Sequence, residues 1–389
     1  MAEDVLVIGA GPAGIACAYQ LEKAGLSYKV IDKAHEIGST WNRLYPSLRL
    51  NTSRFFSHLP EQKFPLSYGL FPTGKQYHAY LVDYVSKRDF NIHLGVEVNH
   101  VRQDGEGWYV ETSEGNAWYP TVISASGRFN APYIPRIDGM DEFHGKIIHA
   151  QDYLGHEAYI GKKMMVVGNG PSGIDIATEL GYYAKAPVLL SQRTGVVLRP
   201  RYPWGLPKHG WQMISEMLPD FIGKPLYNRI QAVTYPDRIL KNIKTPQGDA
   251  NTSAAGGTRG RAILRQIEVG NVKSVDGPAR FHENAVELDN GDKVEADVVI
   301  MATGYHPVLY RYLDVDIVER DSEDWPSRLD DLDEGGMRQI KDYQGLFLVG
   351  VFYKGKGAMY NFNVEAQQAV REIQARLRQI TQTKALENA

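Results

Sequence analysis

Short apolar runs, each closed by glycines or an acid, recur along this chain in a fixed order. Val5-Leu6-Val7-Ile8 leads into Gly9-Ala10-Gly11-Pro12-Ala13-Gly14, then a helical pattern closing near Gly25, then a second apolar run over 28–31 that ends at Asp32. Beyond an aromatic-rich stretch, alternation over 96–101 and 108–112 reads as a β-meander. A turn at Glu114-Gly115-Asn116 then leads into Val122-Ile123-Ser124-Ala125-Ser126-Gly127. The same grammar returns. Met164-Met165-Val166-Val167 opens on Gly168-Asn169-Gly170-Pro171-Ser172-Gly173, a helix follows, and an apolar run covers 188–190. Val286-Glu287-Leu288 turns at Asp289-Asn290-Gly291 into Val298-Val299-Ile300-Met301-Ala302-Thr303-Gly304. Unbroken apolar runs of this kind predict parallel strands covered on both faces.

A duplicated order of strand, glycine turn, helix and strand predicts an α/β fold with two Rossmann-like dinucleotide-binding domains, each with a β-meander crossover. A final apolar run over 346–350 and a helix starting near Asn361 read as a return to the first domain. The first domain is therefore expected to be discontinuous, residues 1–155 and 303–389, with the second, residues 156–302, inserted. The last strand of each repeat ends in small residues, Ala125 and Gly127 or Ala302, Thr303 and Gly304. Such residues suit close backbone approach to a ligand. Residues 205–262 carry proline, tryptophan and helical patches, followed by a Gly/Ser-rich stretch over 248–260 that reads as a mobile loop.

Each glycine turn follows an apolar strand and opens a helix, the context in which such a turn cradles a pyrophosphate. The chain needs a tight first turn, bare backbone against the phosphates, and a helix N-terminus whose dipole favours negative charge. Gly9, Gly11 and Gly14, with Pro12 and Ala13, meet that need in the first copy; Gly168, Gly170 and Gly173, with Pro171 and Ser172, meet it in the second. The end of the next strand separates the two sites. Asp32, followed by Lys33, offers a carboxylate to the hydroxyls of an unphosphorylated ribose, which suits FAD. The second copy ends at Ser191-Gln192-Arg193-Thr194, where Arg193 can pair with the 2′-phosphate of NADPH. Two such nucleotides imply hydride transfer from nicotinamide to flavin.

Composition narrows the rest. At 389 residues the chain has room for two or three domains, and its 43% hydrophobic content and net charge of −3 give no reason to expect nucleic acid or an acidic membrane surface as partner. The N-terminus lacks the basic and cleavable character of a secretory signal, and no apolar run approaches the roughly 18 residues of a spanning helix. The single cysteine, Cys17, fits a reducing cytoplasm and excludes the redox-active pair of a disulfide reductase. A cytoplasmic protein is expected, with no metal site. Oligomeric state stays open, a homodimer being one arrangement.

Between the two repeats lies Phe143-x-Gly145-x-x-x-His149-x-x-x-Tyr153. In this signature, and over nearly its whole length, the chain resembles the class B flavoprotein monooxygenases: flavin-containing monooxygenases, YUCCA-type enzymes and Baeyer–Villiger monooxygenases. Gly38-Ser39-Thr40-Trp41 and Leu48-Arg49-Leu50-Asn51-Thr52-Ser53 look like the family's flavin-proximal segment. Val98 falls where the family contacts the adenine, Ala302-Thr303-Gly304-Tyr305 resembles its second-domain motif, and Gln192-Arg193-Thr194 its NADPH-phosphate motif. Asn51 matches the asparagine beside the flavin in flavin-containing monooxygenases, which makes it the one catalytic candidate. Tyr153 stands where Baeyer–Villiger members carry tryptophan, and so favours the N/S-oxygenating branch. The segment 203–272 resembles YUCCA-type and small bacterial relatives in its shortness.

The resemblance implies that NADPH reduces FAD, O2 adds at the flavin C4a, and the resulting hydroperoxide oxygenates a small nitrogen- or sulfur-containing substrate. A dry pocket must protect that intermediate. Other outcomes of the same machinery are an NADPH oxidase releasing H2O2, a YUCCA-like oxidative decarboxylase or a Baeyer–Villiger enzyme; a flavin-bound NADPH sensor is the non-enzymatic alternative. Phe352, Tyr353, Tyr360 and Phe362 read as core or as the lining of a pocket over the flavin, and Lys354 and Lys356 as solvated loop charges.

Overall fold

The computed structural model describes residues 3–193, 195–236, 240–244, 258–259, 261–306, 309–315, 343–351 and 357–387. Thr194, Phe352, Tyr353, Lys354, Lys356 and most of the stretch 248–260 lie outside them. The chain forms two compact units, one of Met1–Arg43, Arg49–Ala131 and Tyr305–Ala389, the other of Leu44–Leu48 and Pro132–Gly304.

In the first unit five parallel strands run in the order Leu346–Leu348, Thr121–Ser124, Val5–Ile8, Tyr28–Asp32, Ile92–Leu94. Val5–Ile8 is buried throughout, as expected of a central strand covered on both faces. One face packs on the helix Pro12–Lys23 and on the C-terminal helix Ala358–Glu387, which buries Phe362, Ala366, Ala369, Val370 and Ile373. The helix Gly74–Ser86 adds Tyr77, Tyr80, Leu81 and Tyr84 at helical spacing to the same core. Its start is fixed by a capping box between Thr73 and Gln76. The C-terminal helix begins three residues earlier than its apolar periodicity suggested. The meander has three strands, Val98–Asp104, Gly107–Thr112 and Gly115–Tyr119. The last of these is read from sequence only as a turn, because Gly115, Asn116, Ala117 and Trp118 are exposed and show no apolar alternation.

The second unit repeats the plan. Its sheet runs Val272–Val275, Val188–Ser191, Met164–Val167, Val298–Met301, Lys146–His149, all parallel. A second three-stranded meander comprises Pro278–His282, Ala285–Leu288 and Lys293–Glu295. In both sheets the strand before the glycine turn is central, and the strand leaving the meander lies beside it. The fifth strand, next to that one, comes from outside the repeat: from the C-terminal segment in one case and from Lys146–His149 in the other. The chain thus enters the second unit well before residue 155. The apolar residues Ile147 and Ile148 were too few to announce a strand of their own. Residues 208–268 contain the helices Lys208–Glu216, Asp220–Ala232 and Ala262–Glu268.

Candidate functional site

The two glycine turns share one geometry. A Cβ on Gly9 would lie 2.7 Å from the Ala125 carbonyl oxygen, and one on Gly14 would collide with the Gly9 carbonyl. In the second unit a Cβ on Gly168 would collide with the Ala302 carbonyl, and one on Gly173 with the Gly168 carbonyl. Ala125 and Ala302 therefore occupy equivalent places, each at the end of the meander-exit strand and hard against its glycine turn. The middle glycines behave differently. A Cβ on Gly11 or Gly170 would meet nothing within 4 Å. Their backbones (φ −80°, ψ −174° and φ −69°, ψ 177°) are extended conformations open to any residue. Nothing in the protein demands glycine at either position, and the bare backbone there is open to a ligand.

The helices behind these turns, Pro12–Lys23 and Pro171–Tyr183, carry proline in the first turn, no side-chain cap and no first-turn acid. Their leading N–H groups are left for an anion, with the helix dipole in support. Both cradles fit a dinucleotide pyrophosphate.

Around the first cradle, Asp32 accepts the Ala10 N–H at 2.7 Å and the Ala34 N–H at 2.9 Å, one on each carboxylate oxygen. It braces the turn as well as marking the strand end, and each oxygen keeps a second lone pair for a ligand hydroxyl. Lys33 beside it is exposed. The Gly38 N–H donates to the Ala10 carbonyl at 3.1 Å, which brings the short helix Ser39–Asn42 to the same turn. In that helix Thr40 is exposed and Trp41 packs edge-on against Tyr77, 4.5 Å between ring centres. Val98 is half-buried at the start of the meander, close after Val96, whose N–H donates to the Asp32 carbonyl at 2.9 Å. Leu50 is buried, Thr52 half-buried, and Asn51 between them exposed. Tyr360 packs edge-on to Phe56 at 6.0 Å, while Phe362 is core.

In the second unit Arg193 is exposed just beyond Val188–Ser191. Thr303 Oγ1 donates to the Tyr133 carbonyl, which ties the residue after Ala302 into place. The 143–153 signature acts on the same turn. The Phe143 ring covers Gly145, where a Cβ would strike it, and meets Phe281 at 5.3 Å. His149 is buried at the end of the edge strand. Its Nδ1 accepts the Gln151 N–H at 3.1 Å, so Nε2 carries the proton and donates to the Gly304 carbonyl at 2.9 Å. Both ring nitrogens hold backbone, and His149 thereby pins the turn that follows Ala302. Tyr153 is buried between Tyr45 (6.2 Å, edge-on) and Tyr159 (5.6 Å, stacked).

Beside that stack the helix Pro171–Tyr183 presents two carboxylates one turn apart that sequence reasoning missed. Asp175 accepts from Tyr45 Oη at 3.2 Å, and Glu179 meets His156 Nδ1 at 3.3 Å and accepts from Ser47 Oγ. Burial pushes the Asp175 carboxyl up to about 6, with the Tyr45 hydrogen bond and Arg201 opposing. The only sequence signal is an acid at positions 175 and 179 of an otherwise apolar helix. Among the described residues no cluster of His, Cys, Asp or Glu could hold a metal ion, and no helix is long and apolar enough to cross a membrane.

Burial holds the His149 imidazole below its ordinary value of 6.5, against the Gly304 hydrogen bond and Asp152. Well above pH 6.5 the ring is neutral in folded and unfolded chains alike. As pH falls from there through the lowered folded value, the unfolded chain takes up the proton first and stability is lost. Asp175 runs the other way: its raised value stabilises at acid pH and that contribution is gone once pH rises past about 6. Denaturant midpoints of wild type, His149→Gln and Asp175→Asn between pH 5 and 7.5 separate them. His149→Gln should flatten the acid-side loss, and Asp175→Asn should gain stability relative to wild type as pH rises through 6. Parallel profiles for all three would refute both assignments.

The family model described as pyridine nucleotide-disulphide oxidoreductase matches residues 6–202. A probable indole-3-pyruvate monooxygenase of the YUCCA type from Arabidopsis thaliana is 31% identical over 322 residues, covering 77% of this chain and 74% of that protein. A decarboxylating 4-hydroxybenzoate brominase from Pseudoalteromonas luteoviolacea is 30% identical over 344 residues, 82% of this chain and 65% of its own. Among solved structures, a mutant flavin monooxygenase from Stenotrophomonas maltophilia superposes with a TM-score of 0.72 at 23% identity, covering 96% of this chain and 99% of the other. A cyclohexanone monooxygenase superposes at 0.73 with 18% identity, covering 97% and 88%. Together with two cradles built for dinucleotides, these likenesses place the chain in the class B flavoprotein monooxygenases, as a flavin-dependent monooxygenase that uses FAD and NADPH.

Proposed function

We propose that the first cradle, over residues 9–14, holds FAD and the second, over 168–173, holds NADPH, and that the enzyme oxygenates a small nitrogen- or sulfur-containing nucleophile. The contrast between Asp32 and Arg193 at equivalent strand ends carries the cofactor assignment. A carboxylate accepts from ribose hydroxyls and repels a 2′-phosphate, whereas an exposed guanidinium attracts one. Gly9, Gly11, Pro12, Ala13 and Gly14, with Ala125 and Gly127, line the first site; Gly168, Gly170, Pro171, Ser172 and Gly173, with Ala302, Thr303 and Gly304, line the second.

FAD held by the turn over residues 9–14 would supply two-electron chemistry between NADPH and O2, and the protein's part is to bind, orient and shield. A substrate amine or sulfide brings its own electron pair, so few catalytic side chains are needed. Asn51 is the residue assigned to the reacting edge. Its amide is exposed, next to buried Leu50, and offers both a donor and an acceptor without any charge that would have to be desolvated. The closing tyrosine of the signature, Tyr153, supports the N/S-oxygenating branch.

A second reading, oxidative decarboxylation of a 2-oxo acid, is favoured by the names of the indole-3-pyruvate monooxygenases among the relatives. One experiment separates the two. The holoenzyme is supplied with NADPH, O2 and a panel of amines, sulfides and aryl 2-oxo acids, and NADPH consumed, H2O2 formed and product are counted. N- or S-oxide matching NADPH one to one supports the proposal. CO2 release from the 2-oxo acids with no N- or S-oxide would replace it with the second reading.

A further inference from the structure

One buried acid in the first unit has no part in the chemistry above. Glu365 lies on the C-terminal helix with 1% of its surface exposed. It belongs to the same stripe as Phe362, Ala366, Ala369 and Val370, which packs on the helix Pro12–Lys23. Its Oε2 accepts the Gly350 N–H at 2.8 Å. Gly350 follows the strand Leu346–Leu348 at the carboxyl edge of the sheet, the edge where open α/β sheets bind their ligands. Its φ is +87°, and a Cβ there would lie 2.6 Å from the Cβ of Ala13. Ala13 stands in the first turn of the helix behind the first cradle.

Helix packing does not call for an acid at this place. A carboxylate taken out of water costs several kcal/mol, and an apolar side chain would serve the stripe better. What the carboxylate supplies is an acceptor for an amide held in a left-handed turn hard against the cradle. Its charge is also felt on the neighbouring helix, where burial first and Glu365 second push the Cys17 thiol upward.

We infer that Glu365 is a positioning residue of the flavin site, fixing the Gly350 turn against Ala13 so that the cradle keeps the shape the nucleotide needs. The inference rests on the assignment of FAD to the first cradle.

Three substitutions test it. Glu365→Leu removes the acceptor and suits the apolar stripe, Glu365→Asp keeps the charge but draws the acceptor back, and Glu365→Gln keeps an acceptor oxygen at the same reach. Each protein is stripped of flavin, its melting temperature recorded, and its FAD dissociation constant measured by flavin fluorescence. Glu365→Leu and Glu365→Asp should bind FAD about tenfold more weakly, the loss expected of one hydrogen bond. Glu365→Gln should return to within about twofold of wild type. Wild-type affinity in Glu365→Leu or Glu365→Asp overturns the inference. So does a loss in Glu365→Gln as large as in Glu365→Asp. Should Glu365→Leu fail to fold, the Asp and Gln pair decides alone. Gly11→Val is run in parallel. A Gly11→Val protein that purifies yellow refutes the first cradle as flavin site. Colourless Gly11→Val alongside normal FAD binding by the Glu365 variants refutes the role of Glu365 only.

Discussion

Gly11→Val is expected to give a folded protein without flavin. The Cβ at this position meets nothing in the protein, and its backbone is one that valine adopts readily. The folding cost should therefore stay near the ~1 kcal/mol of a poorer helix N-cap. The isopropyl group instead occupies the space over the turn where the proposed pyrophosphate would lie. Steric conflict of about 3 kcal/mol lowers affinity about a hundredfold. Gly14→Ala provides the contrast: its methyl collides with the Gly9 carbonyl, and the fold itself should lose more than ~2 kcal/mol. Absorbance of purified protein at the flavin band, with circular dichroism melts of both variants, reads the outcome. Colourless, stable Gly11→Val beside poorly folded Gly14→Ala is the expected pair. Yellow Gly11→Val would move FAD away from this turn.

Arg193→Ala should separate NADPH from NADH. The guanidinium is exposed at the end of Val188–Ser191, where a 2′-phosphate is the one cofactor group that differs between the two. A charge-assisted contact is worth about 1.5–3 kcal/mol, so kcat/KM for NADPH should fall roughly 10- to 150-fold while NADH changes less than about twofold. Salt should weaken NADPH use by wild type and leave the variant little affected. Equal losses for both nucleotides would show Arg193 shaping the turn instead of reading the phosphate.

Much of the fold was legible because its strands are buried on both faces and so appear as unbroken apolar runs. Val5–Ile8, Met164–Val167 and Val298–Met301 announced themselves in this way, and the glycine turns after two of them marked where helices begin. Edge positions were harder. Gly115–Tyr119 is largely exposed, and Lys146–His149 is short and begins with an exposed lysine, so neither shows the pattern of a central strand. The signature around His149 was visible as a string of residues, but its work was not. Sequence does not reveal that Gly145 clears a ring or that His149 holds the Gly304 carbonyl. Glu365 was hidden for a related reason. It lies on an apolar stripe, where the pattern of the other residues carries the helix and a lone acid reads as noise. Asp175 and Glu179 are of the same kind: their partners, Tyr45, Ser47 and His156, come from distant segments of the chain.

Stopped-flow mixing of the NADPH-reduced enzyme with oxygenated buffer tests the central claim most directly. A flavin species distinct from both the reduced and the oxidised forms should appear, persist while NADP⁺ is present, and decay faster as amine or sulfide is added, with no matching H2O2. Direct return to oxidised flavin with stoichiometric H2O2, unchanged by any nitrogen or sulfur nucleophile, would contradict it.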